Sequence, residues 1–208
     1  MEKRGWDVQN LDLPGFGLPE PTRAWGLTEY ATYVQEKLPE VWKDKGYVFF
    51  GHSFGGRVGV VAGAKKAPGL GRLVLCAPGG FNRENELKLT AFRVAAKWGR
   101  GIFGENAFLR RVLYKLARTN DYNRATPRMR EVMKKVLEQD LWPLLPKVKL
   151  PALVLWGEAD RVVPVADGEG VVRQLPEAEL VVCPGAGHLL PYRQPEWVAE
   201  RIDQWFLS

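Results

Sequence analysis

The sequence predicts an α/β protein: a mostly parallel sheet flanked by helices, with a long helical insertion. Short, almost continuous apolar runs recur at 47–50 (YVFF), 72–77 (RLVLCA), 151–156 (PALVLW) and 179–183 (ELVVC). Strands of that kind suit a parallel sheet covered on both faces. Stretches with apolar residues three and four apart separate the runs, as layered strand–helix units require. A long helical stretch lies between 72–77 and 151–156.

Taken in order, residues 6–11 (WDVQNL) are expected as a strand running into the turn-rich DLPGFGLPEP at 12–21. Leu27, Tyr30, Ala31, Val34 and Leu38 share a helical face, and Pro39 should bend or interrupt that helix. After YVFF comes FGGRVGVVAGAKK at 54–66, a helix despite glycines that each cost about 1 kcal/mol against alanine. Gly55, Gly59 and Gly63 are four apart, so they should share a face packed closely on the sheet. Residues 106–117 repeat apolar side chains from Phe108 to Ala117 behind a capping Asn106. Residues 126–141 open with Thr126 as cap and Pro127 at the first helical position, and Met129, Val132, Met133, Val136 and Leu137 form the apolar side. A final helix over 195–206 places Val198, Ile202, Trp205 and Phe206 on one side.

The chain has 208 residues, 46% apolar content and eight tryptophans, which fits one globular domain with room for a subdomain. No apolar run is long enough to cross a bilayer, and the first ten residues carry no apolar stretch of signal-peptide type. The two cysteines, Cys76 and Cys183, have no metal-ligand spacing. A soluble cytoplasmic protein with reduced thiols is the expectation. The net charge is +6, and residues 81–145 hold 14 basic against 7 acidic side chains while the remainder is nearly balanced. Such a segment can attract anionic substrates, lipid head groups or nucleic acid, or simply be a solvated helix surface.

Chemistry centres on GHSFGG at 51–56. A serine hydroxyl needs a base to become a nucleophile. A glycine-flanked serine between a strand and a helix is held on a strained turn that exposes it. A phosphate loop would need a Gly-Lys-Ser/Thr ending, and GFGLPE at 15–20 lacks the third glycine of a dinucleotide fingerprint. Only two histidines are present. His52 adjoins Ser53 on the turn and should project away from the hydroxyl. His188, in PGAGHLL after the last apolar run, lies where site residues gather in an open α/β sheet. Asp160, in ALVLWGEADRVVP, can accept the second imidazole N–H and fix the tautomer; Glu158 is its local competitor. The order Ser53, Asp160, His188 is that of an α/β-hydrolase triad.

DLPGFG at 12–17, GHSFGG at 51–56, LVLWGEAD at 153–160 and GAGHLLPYRQP at 185–195 together resemble the α/β-hydrolase fold superfamily. The resemblance runs in family order through nearly the whole chain. It implies a core of residues 1–80 and 146–208, a cap of residues 81–145, and no metal or organic cofactor. It implies a serine hydrolase acting on an ester, thioester or related acyl bond of a small molecule, with an anionic substrate as one option. Ser53, His188 and Asp160 would be catalytic, and the backbone N–H of Phe54 would hold the oxyanion. Ser53 argues against the dehalogenases and epoxide hydrolases, whose nucleophile is an aspartate. No nucleic-acid partner is expected, since no aromatic–basic recognition motif accompanies the charge.

One departure from the family pattern stands out. The strand ending at DLPGFG is the fourth in that family, and the first three, with the His-Gly loop that supplies a second oxyanion donor, have no counterpart. Either the sequence belongs to a longer hydrolase, or residues 6–11 pair directly with 47–50 in a short variant. An impaired or non-catalytic protein that keeps the fold and binds small molecules is the alternative function. The implied strand order also places Cys76 and Cys183 two strand spacings apart, roughly 9–10 Å, beyond disulfide reach.

Overall fold

The computed structural model describes residues 1–81 and 125–208. The turn-rich segment forms two dipeptide strands, Leu13–Pro14 (β1) and Gly17–Leu18 (β2). Helix Leu27–Lys37 (α1) stops short of Pro39, and Glu40–Lys45 (α2) restarts after it, as the proline's fixed φ and missing N–H require. Strand Tyr47–His52 (β3) passes through Ser53 into helix Phe54–Ala64 (α3). Strand Leu70–Cys76 (β4) precedes the residues outside the description, among which the helix expected at 106–117 falls. Helix Pro127–Glu138 (α4) starts as expected, with the Thr126 hydroxyl accepting from the Met129 N–H at 3.2 Å. After a 3₁₀ turn at Trp142–Lys147 come strand Ala152–Gly157 (β5), helix Val165–Gln174 (α5), strand Ala178–Cys183 (β6), the single turn Leu190–Arg193 (α6) and helix Pro195–Leu207 (α7).

The sheet runs β3–β4–β5–β6, every pair parallel. Side-chain alternation divides the core into two layers. Leu73 and Leu75 of β4, with Val154 and Trp156 of β5, face the cluster built by α1, α3, α4 and α5. Val74, Cys76, Leu153 and Leu155 face the other way, onto Leu190, Val198 and Ile202 of α6 and α7. All six β5 residues are buried, which explains its unbroken apolar sequence. Cys76 and Cys183 lie on β4 and β6 with β5 between them, and both are free and buried.

Two expectations need correction. Residues 6–11 form no strand, and among the described residues β4 is the only strand paired with β3. Their side chains are engaged by helices instead. The Trp6 indole N–H donates to Asp203 at 2.7 Å, its ring meets Phe206 at 4.8 Å, and Asp7 accepts from the Trp42 indole at 3.1 Å. A cavity of about 400 Å³, lined in part by Trp6, Asp7, Trp42, Tyr47 and Val48, lies between this segment and the start of β3. Direct pairing of 6–11 with 47–50 is therefore not what the chain adopts.

The helix glycines also differ from expectation. Gly59 and Gly63 do press on the sheet, since a Cβ at Gly59 would sit 2.9 Å from the Phe49 ring and one at Gly63 3.0 Å from Leu73. A Cβ at Gly55 would meet nothing within 4 Å. The close approach in the first turn belongs to Gly56, where a Cβ would lie 2.8 Å from Pro78.

Helix α4 is fastened to the core by charge as well as by its apolar side. The buried Arg57 of α3 donates through Nη2 to the carbonyls of Val136 at 2.8 Å and Gln139 at 2.9 Å, at the end of α4. Glu29 of α1 receives Lys135 at 3.3 Å and Arg23 at 2.9 Å. Burial pulls the Glu29 carboxyl upward, but N–H donors of Glu29 and Gly26 and the two cations outweigh it and hold the pKa at about 2.

Candidate active site

The sequence around Ser53 folds into a sharp turn because β3 must end and α3 must begin within one residue. Ser53 takes φ 49° and ψ −107°, a positive φ that side chains rarely adopt. Its N–H donates to the Cys76 carbonyl at 2.9 Å, tying the turn to the end of β4. Gly51 makes the turn sterically feasible, since a Cβ there would lie 2.5 Å from the Gly55 carbonyl carbon and 2.6 Å from the Gly56 nitrogen. The strained serine is thus over-determined by its neighbours, as strain at functional positions usually is.

Three strand ends converge on this turn. Asp160 follows β5 and His188 follows β6. The His188 Nε2 stands 3.1 Å from the Ser53 Oγ, and its Nδ1 stands 2.8 Å from Asp160 Oδ2. A carboxylate only accepts, so Nδ1 carries the proton and Nε2 presents its lone pair to the hydroxyl. Asp160 Oδ1 accepts the N–H groups of Val162 and Val163, both at 2.8 Å. Both oxygens of this buried side chain are therefore occupied, which fixes its rotamer.

Glu158, the competing carboxylate, has a different task. Its Oε2 accepts the Gly185 N–H at 2.8 Å and so staples the β5 and β6 loops together. The Ala159 N–H adds a second tie to the Ala186 carbonyl at 2.8 Å. Gly157 allows the approach, because a Cβ there would fall 2.7 Å from the Gly187 oxygen. The sequence carries no signature of these ties beyond the glycine in GEAD.

Phe54 opens α3, and its ring stacks on Phe16 at 4.8 Å and meets the edge of Tyr30 at 5.0 Å. The buried Tyr30 hydroxyl donates to the Pro14 carbonyl at 2.9 Å and so pins the β1–β2 loop beside the first turn of α3. Burial pushes the Tyr30 pKa up to about 12. Gly15 of that loop lies against Met129 of α4. The His52 Nε2 lies 2.8 Å from the His188 carbonyl oxygen. Among the described residues no helix is long and apolar enough to cross a membrane.

Comparison with known proteins places these features in context. A model of the alpha/beta hydrolase family matches residues 6–201. A protein of Bacillus subtilis named as an uncharacterized hydrolase, YugF, is 28% identical over 95% of this chain and 79% of its own length. The structure of a thermophilic esterase from Thermogutta terrifontis superposes with a TM-score of 0.64 at 27% identity, covering 94% of this chain and 77% of that one. An alpha/beta hydrolase enzyme from a sediment metagenome of the Mar Chica lagoon, Morocco, shares the fold with a TM-score of 0.61 at 20% identity, over 87% of this chain and 69% of that one.

Proposed function

The chain belongs to the alpha/beta hydrolase family, and from that premise we propose that it is a serine hydrolase cleaving an ester, thioester or related acyl bond of a small molecule. One observation carries this reading: the unbroken line from Ser53 Oγ through His188 to Asp160, with contacts of 3.1 and 2.8 Å. The likeness to an esterase at 27% identity supports the acyl class.

The reaction runs in two halves. Ser53 Oγ attacks the substrate carbonyl carbon while His188 Nε2 takes its proton. The tetrahedral oxyanion is held by the Phe54 N–H at the start of α3, where the helix dipole adds positive potential. As the intermediate collapses, the bond to the leaving group breaks and His188 returns its proton to that group. Water then attacks the acyl-enzyme with His188 as base, releasing the acid and restoring Ser53. Asp160 stabilises the imidazolium in both halves.

The cap is assigned to residues 81–145 and the core to 1–80 and 146–208, with α4 the cap helix that reaches the β1–β2 loop. The two buried free thiols fit a reducing, cytoplasmic setting. Turnover of p-nitrophenyl butyrate tests the proposal. Wild-type turnover that falls by about 10³-fold or more in Ser53→Ala and His188→Ala supports it. Equal turnover in the Ser53→Ala protein overturns it. Binding without turnover supports the alternative, a protein that keeps the fold and has lost the catalysis.

A further inference from the structure

We propose that His52 is a positioning residue for the general base: its ring N–H holds the His188 backbone carbonyl and so sets where the His188 imidazole stands. The inference rests on the serine-hydrolase reading given above and names a residue that the triad does not include.

The loop between β6 and α6 carries His188, and its two halves are held differently. The first half is stapled to the end of β5 through Glu158 and Ala159. At His188 itself the backbone is held by the His52 Nε2, 2.8 Å from the His188 carbonyl oxygen. A carbonyl only accepts, so His52 is the donor and Nε2 bears its proton. Strand alternation explains why this side chain is available. His52 closes β3, and its ring reaches the neighbouring loop that carries His188.

The ring is also packed in place. Its centroid lies 5.0 Å from that of His188, and Tyr192 meets its edge at 5.6 Å and 78°. Burial holds the His52 pKa below its ordinary value. Neutrality matters at this distance, because a cation beside His188 would oppose the imidazolium that catalysis forms. One neutral donor thus fixes the backbone of the base, while Asp160 fixes its ring and tautomer. Ser53 and its base are linked twice, through the hydroxyl and through the adjacent residue of the same turn.

The test separates the donor from the packing. His52→Phe keeps a ring against Tyr192 and removes the N–H; His52→Gln keeps an N–H near the Nε2 position and removes the ring. Each folded variant, checked by thermal unfolding, is measured for fluorophosphonate labelling rate and for kcat and KM with p-nitrophenyl butyrate. Displacement of a base by about 1 Å can cost 10²-fold. His52→Phe is therefore expected to lose roughly 10- to 100-fold in labelling rate and kcat, with KM within about threefold. His52→Gln is expected to recover to within about threefold of wild type. His52→Ala replaces the phenylalanine variant if the latter does not fold. A folded His52→Phe or His52→Ala protein with wild-type rates overturns the inference, as does a His52→Gln protein as impaired as either. Labelling abolished in Ser53→Ala but unchanged in His52→Phe rejects the positioning role alone. Labelling that persists in Ser53→Ala rejects the serine reading beneath it.

Discussion

Two glycines four residues apart in GHSFGG should respond oppositely to the same methyl group. In Gly51→Ala the new Cβ would lie 2.5 Å from the Gly55 carbonyl carbon and 2.6 Å from the Gly56 nitrogen, both backbone atoms. Ordinary contact begins near 3.4 Å, so the first turn of α3 must retreat by about 1 Å or the strand must yield. Overpacking of this kind costs about 1–3 kcal/mol. For a chain of this size that lowers Tm by about 2–12 °C. Because Ser53 and the Phe54 N–H ride on the displaced turn, fluorophosphonate labelling should slow by roughly 10²-fold. In Gly55→Ala the methyl meets nothing within 4 Å and sits in a helix. Lower unfolded-chain entropy then stabilises the protein by about 0.4–1 kcal/mol, with labelling within about threefold of wild type. Thermal unfolding and labelling of the two variants side by side form the assay. A Gly51→Ala protein indistinguishable from wild type, or a Gly55→Ala protein impaired in both readouts, would show that backbone crowding at Gly51 does not shape the turn.

Three further outcomes are expected. Asp160→Asn should slow labelling by about 10³–10⁴-fold by presenting the wrong partner to His188 Nδ1, whereas Glu158→Gln should change it far less; equal effects would show that the carboxylates were misassigned. Asp167 of α5 is buried, and burial followed by the nearby Asp160 charge raises its pKa to about 6. The folded state therefore binds this proton more tightly than the unfolded chain, so stability falls as pH rises from about 4 to about 6. Asp167→Asn should raise Tm relative to wild type above pH 6, with the gain vanishing toward pH 4, and a pH-independent difference would contradict that. Burial pushes the Cys76 thiol up to about 12, so native protein should resist thiol reagents and yield two free thiols only after denaturation.

Much of the fold was legible because its signals are local. The four apolar runs became the four strands of the parallel sheet, Pro39 divided a helix in two, and Thr126 with Pro127 began α4. Strand ends ran further than composition suggested, since Gly51 and His52 extend β3 by pairing with Leu75 and Cys76. What failed depended on distant partners. The strand pattern of 6–11 is overridden by Trp6 reaching Asp203, which no local window contains. The glycine spacing pointed to one helix face, but the helix leans on Pro78 through Gly56, leaving Gly55 open. In the candidate site, residue types and chain order named Ser53, Asp160 and His188. The sequence did not reveal the task of Glu158 or the partner of His52, because both bind backbone groups, which carry no side-chain signature.

Mass spectrometry of the protein after fluorophosphonate treatment reads whether Ser53 is the nucleophile. One adduct per chain is expected on the peptide containing GHSFGG, assigned to Ser53 and absent from Ser53→Ala. Folded wild-type protein that stays unmodified, or an adduct that persists in Ser53→Ala, would rule out Ser53 as the nucleophile.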